Sequence, residues 1–250
     1  MTVIDDIIQK TRTELESRKA KIPVESFDIK GKSRSLSKAI KSNKTAVISE
    51  IKPASPTLGK IRDLNVPKTA REMEEGGACA ISVLTEPFFF GGNLNNLTEV
   101  KKAVGIPVLR KDFIIDEYQL YEAKHYKADA VLLIVAALGD STAGLLSKAK
   151  ELGMEALVEV HTEEELESVK SDAEIIGINN RNLGDLTIDL ETTKRLASKV
   201  PEGKLIISES GVKNKEDLMR VLGYGADAAL IGTSLMKSRD IKGALSGLLK

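Results

Sequence analysis

The sequence predicts an α/β protein: a closed (β/α)8 barrel carrying a helical extension at its N-terminus. Three observations point there. From residue 45 onward, eight short apolar runs alternate with eight helix-length segments, roughly 25 residues per unit, which suits closure into a barrel. The runs are β-branched and apolar on both faces, as parallel strands covered by helices must be. Five of them finish on charged or amide residues: AVISEIK (Ala46–Lys52), VLRKDF (Val108–Phe113), LVEV (Leu157–Val160), IIGINNR (Ile175–Arg181) and LIISES (Leu205–Ser210). Polar tips at the same end of five buried strands need a fold that gathers strand ends together. An open doubly wound sheet is the alternative, but no G-x-G-x-x-G follows the first strand.

The elements follow in order. Thr2 can cap a helix from Val3 to about Lys19, with Ile4, Ile7, Ile8 and Leu15 as its apolar stripe. Ser35–Lys41 reads as a second short helix, so residues 1–44 form an extension that packs on the barrel of residues 45–250. The expected strands are Ala46–Ile51, Cys79–Leu84, Pro107–Arg110, Ala130–Ile134, Glu155–Val160, Glu174–Ile178, Lys204–Ser208 and Ala228–Ile231. The helices between and after them are Pro67–Glu75, Leu94–Val104, Asp116–Lys127, Ser141–Leu152, Glu163–Lys170, Leu190–Ser198, Asn214–Leu222 and Ile241–Leu249. No linker or composition shift divides residues 1–250, which are read as a single domain.

Composition narrows the function classes. There are 37 basic and 37 acidic residues, so nothing in the charge favours nucleic acid or an anionic membrane. No apolar run approaches the length of a membrane span, and the N-terminus has no apolar signal core. The single cysteine, Cys79, closes no intrachain disulfide and reads as a small core residue in a reducing compartment, hence a cytoplasmic protein. Two separated histidines, His125 and His161, and one apolar cysteine make no metal set. His125 reads as an ordinary helix residue, and His161 as a loop histidine beside the mouth.

A barrel of this kind builds its site from the C-terminal strand ends. Residues two apart on a strand share a face, so Glu50 and Lys52 point the same way. Lys111 brings a second ammonium, Glu159 ends strand 5, Asn179 and Arg181 end strand 6, and Glu209 and Ser210 end strand 7. Arg110 alternates against Lys111 and faces outward. Lysines and glutamates confined in one cleft tune one another for proton transfer. The turns Ser208–Val212 and Gly232-Thr233-Ser234 after strands 7 and 8 are small enough to bring backbone N–H groups to an anion. TSLMK forms the short extra helix of a phosphate site, so the substrate is a phosphorylated small molecule. The long loop after strand 1 either closes over ligand as a lid or is a passive surface loop. Phe88-Phe89-Phe90 and Phe113 either wall a pocket for a flat ring or pack beneath the N-terminal helix.

Together these segments resemble the indole-3-glycerol phosphate synthase family of tryptophan biosynthesis. The motifs SEIKPASPT, LTEPFFFGG, VLRKDFIIDEYQ, ADAVLLI, LVEVH, IGINNRNL, SESGV and LIGTSLM stand in the family's order and spacing across residues 44–236. The resemblance implies conversion of 1-(2-carboxyphenylamino)-1-deoxyribulose 5-phosphate to indole-3-glycerol phosphate by ring closure, decarboxylation and dehydration. It implies no redox cofactor and no metal. The chain is expected to act as a monomer or weak homodimer, with no nucleic-acid or membrane partner. The resemblance implies that Lys111 and Lys52 share the acid work and that Glu159 is the base. Glu50, Asn179, Ser210 and Glu209 then orient substrate or support the charges, and Arg181 lies near an anionic group. Ser55 carries over as a loop contact, and Gly211, Gly232 and Thr233 as the phosphate cradle. Phe113, Leu132, Leu183 and Phe89 line the anthranilate pocket. The chain departs from the family at Thr57, Asn93 and Lys127, none of them an acid or base of the scheme. A sister isomerase barrel is disfavoured because Cys79 stands early in strand 2, and a non-catalytic binder because it has no need of matched acids and bases.

Overall fold

The computed structural model describes residues 3–250; the proposed cap Thr2 lies outside them. Eight parallel strands close into a barrel: β1 (Ala46–Ile51), β2 (Ala80–Leu84), β3 (Val108–Lys111), β4 (Ala130–Ile134), β5 (Glu155–Val160), β6 (Ile175–Asn179), β7 (Leu205–Glu209) and β8 (Ala228–Ile231). Each strand pairs with its neighbours in sequence, and β1 closes on β8 through Ala46↔Ala228 to Ser49↔Ile231. Helices wrap the outside, and each strand leads into one.

Three strands run one residue further than expected. Lys111, Asn179 and Glu209 are ladder residues, paired as Leu84↔Lys111 and Asn179↔Glu209. Hydrogen bonding across the ladder therefore extends through the polar tip, and the pleat, not a loop, sets the direction of these side chains. At the other end Pro107, which has no N–H to donate, stands outside β3.

Alternation divides the apolar residues into two cores. One lies between the sheet and its helices, with Val47, Ile81, Val131, Val158 and Ile176. The other fills the barrel, with Ile48, Leu109, Leu157 and Ile207. Cys79 belongs to the inner core, where burial pushes its thiol up to about 12, so it is no nucleophile at neutral pH.

The N-terminal extension closes the barrel at both ends. Helix α1 (Val3–Lys21) buries Ile7, Thr11 and Leu15, one face at i, i+4, i+8 spacing. Its C-terminal end is tied to the helix Glu117–His125 by Arg18–Glu122 at 3.1 Å and, just before that helix, by Lys19–Asp116 at 2.7 Å. Its N-terminal end reaches the mouth, where Val3, Ile4 and Ile7 line the cavity. Helix α2 (Leu36–Lys41), capped by Ser35, puts Leu36 and Ile40 into the inner core at the opposite end. Glu155, the first residue of β5, holds it by accepting from Ser35 Oγ, Ser37 Oγ and Ser37 N.

The loop after β1 is not irregular. Ala54–Ser55 pairs antiparallel with Gly59–Lys60, Ala54 N donates to Phe90 O (3.1 Å), and Arg62 Nη1 donates to Ser238 O (2.8 Å). A short helix, Val135–Leu138, follows β4 and has no signal in the sequence pattern; the expected helix Thr233–Lys237 is present. No helix among the described residues is long and apolar enough to cross a membrane.

Candidate active site

The odd-numbered strands each carry an inward-facing charged residue in one of their last two positions: Glu50 on β1, Lys111 on β3, Glu159 on β5 and Glu209 on β7. Such a barrel fills its interior in layers drawn from alternate strands, and here the top layer is three carboxylates and one ammonium. Lys111 Nζ donates to Glu209 Oε2 at 2.6 Å and to Glu159 Oε2 at 3.0 Å. Lys52 Nζ, beyond the end of β1, lies 2.6 Å from Glu50 Oε1. Among the described residues no hydrogen-bond donor reaches Glu50 Oε2 or Glu209 Oε1.

Burial and mutual charge set the proton affinities. Burial opposes the Lys111 charge, but Glu159, Glu209 and Glu50 outweigh it and raise the ammonium above the ordinary lysine value. Burial would also lift Glu159, yet Lys111, His161 and Asn179 hold it well below the usual carboxylate range. Glu209 goes the other way. Burial, reinforced by the Glu159 and Glu50 charges, lifts it to about 7 against the pull of Lys111. One ammonium shared by two buried carboxylates thus separates them into a firm anion and a group that titrates near neutrality.

Two glycines leave room for this layer. A Cβ on Gly177 would collide with Glu209 Oε1, and one on Gly232 with Glu50 Oε1. The sequence marked Gly232 as part of an anion turn and did not mark Gly177; a lone glycine inside the β6 run IIGIN was the available signal.

Above the charged layer a cavity of about 470 Å³ opens, within the range of small-molecule sites. Its wall includes Glu50, Lys52, Ser55, Lys111, Phe113, Leu132, Glu159, Asn179, Arg181, Leu183, Glu209, Ser210, Gly211, Gly232 and Thr233. Phe89 is the site candidate that is not on this wall; Phe90 takes that place, with its ring centroid 6.3 Å from that of Phe113. Phe88 and Phe89 turn to α1 instead, where Lys10 Nζ lies 5.7 and 5.0 Å from their ring centroids. The two readings of the phenylalanine cluster thus apply to different residues.

Two turns, after β7 and β8, form one side of the cavity. Ser210 has φ +64°, unusual for a residue with a side chain, and Gly211 follows at φ +100°. Asn180 holds that strained turn, its Nδ2 donating to Glu209 O (2.9 Å), Ser210 O (3.0 Å) and Ser208 Oγ (3.0 Å). Thr193 N and Oγ1 in turn donate to Asn180 Oδ1. Ser234 Oγ donates to Val212 O at 3.3 Å and ties the β7 turn to the β8 turn. Lys213 and Lys237 also line the cavity. Sequence reasoning missed Asn180 because it alternates against the inward-facing Asn179, and missed both lysines because they lie in a loop and at a helix end.

Arg181 is braced within its own loop. Its N–H donates to Asn179 Oδ1 (3.0 Å) and its Nη1 to Leu186 O (2.9 Å). Arg110 faces outward as expected from alternation, but it is wholly buried, held between Asp112, Glu122 and Gln119 O. His161 is not a solvated loop residue. Its ring is 8% exposed, with Nε2 3.3 Å from Glu159 Oε1.

A family model for indole-3-glycerol phosphate synthase matches residues 4–248. The chain belongs to the indole-3-glycerol phosphate synthase family. Curated relatives under that name agree along nearly their whole length. The protein of Methanocaldococcus jannaschii is 45% identical over 259 residues, covering 97% of each chain. That of Thermoanaerobacter pseudethanolicus is 42% identical over 253 residues, covering 99% of this chain and 97% of the relative. That of Campylobacter jejuni subsp. doylei is 44% identical over 260 residues, covering 99% and 100%. A solved 3-hexulose-6-phosphate synthase superposes with a TM-score of 0.66 at 20% identity, over 82% of this chain and 98% of that one, and speaks for the barrel fold alone. As an indole-3-glycerol phosphate synthase the chain is a carboxy-lyase of tryptophan biosynthesis acting on a phosphorylated small molecule.

Proposed function

We propose that the cavity holds 1-(2-carboxyphenylamino)-1-deoxyribulose 5-phosphate with its phosphate at Gly211, Gly232 and Thr233 and its aromatic ring against Phe113, Leu132 and Leu183. The observation that carries this is the Lys111 ammonium, shared between Glu159 and Glu209 at the floor of the cavity. The ring carbon bearing the carboxylate attacks the ketone carbon, and the carbonyl electron pair moves to oxygen. Lys111 donates to that oxygen as charge develops; even an ammonium of raised affinity protonates an alkoxide. CO₂ leaves, and its bonding pair restores the aromatic ring. Lys52 then protonates the hydroxyl, which departs as water, and Glu159 takes a proton from the methylene carbon next to nitrogen. Two protons are given and one taken, so one is drawn from solvent per turnover.

Glu50 pairs with Lys52 and holds it at the mouth. Asn179, Ser210 and Ser55 orient the substrate, Arg181 faces its anionic groups, and Glu209 stores or releases a proton beside Lys111. Phe90, rather than Phe89, completes the aromatic wall. The working unit is one domain of residues 1–250, a reading supported by α1 and α2 meeting opposite ends of the barrel within one chain, and it acts as a monomer or weak homodimer in the cytoplasm.

The test is indole fluorescence on mixing the purified protein with that substrate. The signal rises, and Lys111→Ala lowers kcat by at least about a hundredfold, the scale of a lost general acid. Full turnover in Lys111→Ala would remove Lys111 from the chemistry.

A further inference from the structure

Glu159 is 2% exposed and its two oxygens face different neighbours. Oε2 takes the Lys111 ammonium at 3.0 Å. Oε1 accepts from Asn179 Nδ2 at 3.0 Å and has His161 Nε2 at 3.3 Å. Nε2 is buried and lies off the line of a hydrogen bond, so the contact is that of an ion pair. Glu165 grips the histidine from behind. Its Oε2 accepts from His161 N at 2.7 Å and lies 3.3 Å from His161 Nδ1. Thr162 caps the helix Glu163–Val169 that carries Glu165, its Oγ1 accepting from Glu165 N, so the grip is built into the end of β5.

We propose that His161, clamped by Glu165, is a positioning residue for Glu159. It holds Oε1 on the side away from the reacting atoms, so that Oε2 is the oxygen presented beside Lys111. The inference rests on the assignment of Glu159 as the base. A carboxylate 3.0 Å from an ammonium is exposed to a short circuit, in which the acid's proton passes straight to the base. A second cation on the far oxygen disfavours that transfer and keeps Glu159 ionised until the methylene proton arrives. Burial works against a charge on His161, but the Glu159 and Glu165 carboxylates on its two sides raise it to about 9, making it a cation at neutral pH. The other charged groups on this side, Arg181, Asp189 and Arg195, line a second cavity with His161 and Glu165, behind the mouth. A residue that merely closed the β5 turn would leave the pH dependence of kcat unmoved.

The experiment measures kcat and KM by indole fluorescence against pH in wild type, His161→Gln, Glu165→Gln and Glu159→Gln. In the wild type kcat falls on the alkaline side with an inflection at about 9, as His161 loses its proton. Lys111, raised above its ordinary value, does not titrate there. Glu165→Gln moves the inflection down by about one pH unit. His161→Gln abolishes it and lowers kcat about tenfold at neutral pH with KM nearly unchanged. The chain has two histidines, so NMR follows the His161 ring directly; its midpoint falls in Glu165→Gln even if His161→Gln fails to fold. Wild-type kcat in His161→Gln, or an unmoved alkaline inflection in Glu165→Gln, overturns the proposal. If Glu159→Gln turns over normally, the base assignment itself is wrong; if it is inactive while His161→Gln is unaffected, the positioning role alone is lost.

Discussion

Arg110 and Lys111 are consecutive residues of β3, both cations, each held by two carboxylates, on opposite faces of one strand. Arg110 lies between sheet and helix with no exposed surface, bonded to Asp112 Oδ2 (2.8 Å), Glu122 Oε2 (3.4 Å), Gln119 O (2.6 Å) and Thr85 Oγ1 (3.3 Å). Arg18 of α1 then balances Glu122 from the other side. Lys111 faces the cavity, and its carboxylates keep unfilled acceptors at Glu209 Oε1 and, one residue along the layer, Glu50 Oε2. The first network is closed within the fold, each of its carboxylates facing a cation. The second is confined but incomplete, with buried carboxylate oxygens that no donor among the described residues reaches. The same arrangement of charge is enclosed by the fold on one face and opens on a cavity on the other.

The largest test of that contrast exchanges each cation for methionine. Arg110→Met strands Asp112 and Glu122 and lowers stability by about 3–5 kcal/mol, as when one partner of a buried pair is removed. Lys111→Met lowers stability by no more than about 1–2 kcal/mol, because its carboxylates can protonate beside the cavity, but it loses about a hundredfold in kcat. Urea unfolding and steady-state rates on both proteins read this directly. Equal losses of stability would dissolve the distinction between the two faces.

A smaller effect sharpens the account of the Lys111 side. Glu209 is raised to about 7 from the ordinary 4.5, so it binds its proton more tightly in the fold than in the unfolded chain. Its contribution to stability is therefore present below 4.5 and lost as pH rises through about 7. Glu159 is depressed, so its contribution is present above 4.5 and lost as pH falls through its folded value. Glu209→Gln keeps the uncharged state at every pH. Its stability relative to wild type rises by on the order of 2 kcal/mol between about pH 5 and about pH 8. Urea midpoints at the two pH values measure the change, and a falling difference would mean that Glu209 is the firm anion of the pair.

The smallest test separates neighbours in the aromatic loop. Phe90→Ala opens the cavity wall and raises KM by about three- to tenfold. Phe89→Ala leaves KM alone and loosens α1 by about 0.5–1 kcal/mol through the lost Lys10 contact. The reverse pattern would return Phe89 to the pocket.

Much of this was legible in the chain. The period of two in LVEV and SEIK aims Glu159, Glu50 and Lys52, and the alternation of strand and helix says that their ends converge. What periodicity could not reach depends on neighbours distant in sequence. His161 reads as a loop residue until Glu165, one helical turn on, folds back over it. Phe89 and Phe90 are indistinguishable until α1 arrives and takes one of them. Gly177 looks like any strand glycine until Glu209 of the adjacent strand needs its space. Asn180 alternates outward and appears idle, yet it holds the Ser210 turn.

By itself the sequence determined the strands, their order, the face of each inward residue and hence the membership of the charged layer, because pleat and helix periods are local properties of the chain. Only the tertiary structure decided which oxygen of Glu159 meets which cation, why two carboxylates on one lysine have opposite proton affinities, and which phenylalanine faces the cavity. Those outcomes depend on burial and on distances of about 3 Å between residues far apart in the chain, where Coulomb energies change steeply with small displacements that no local pattern encodes.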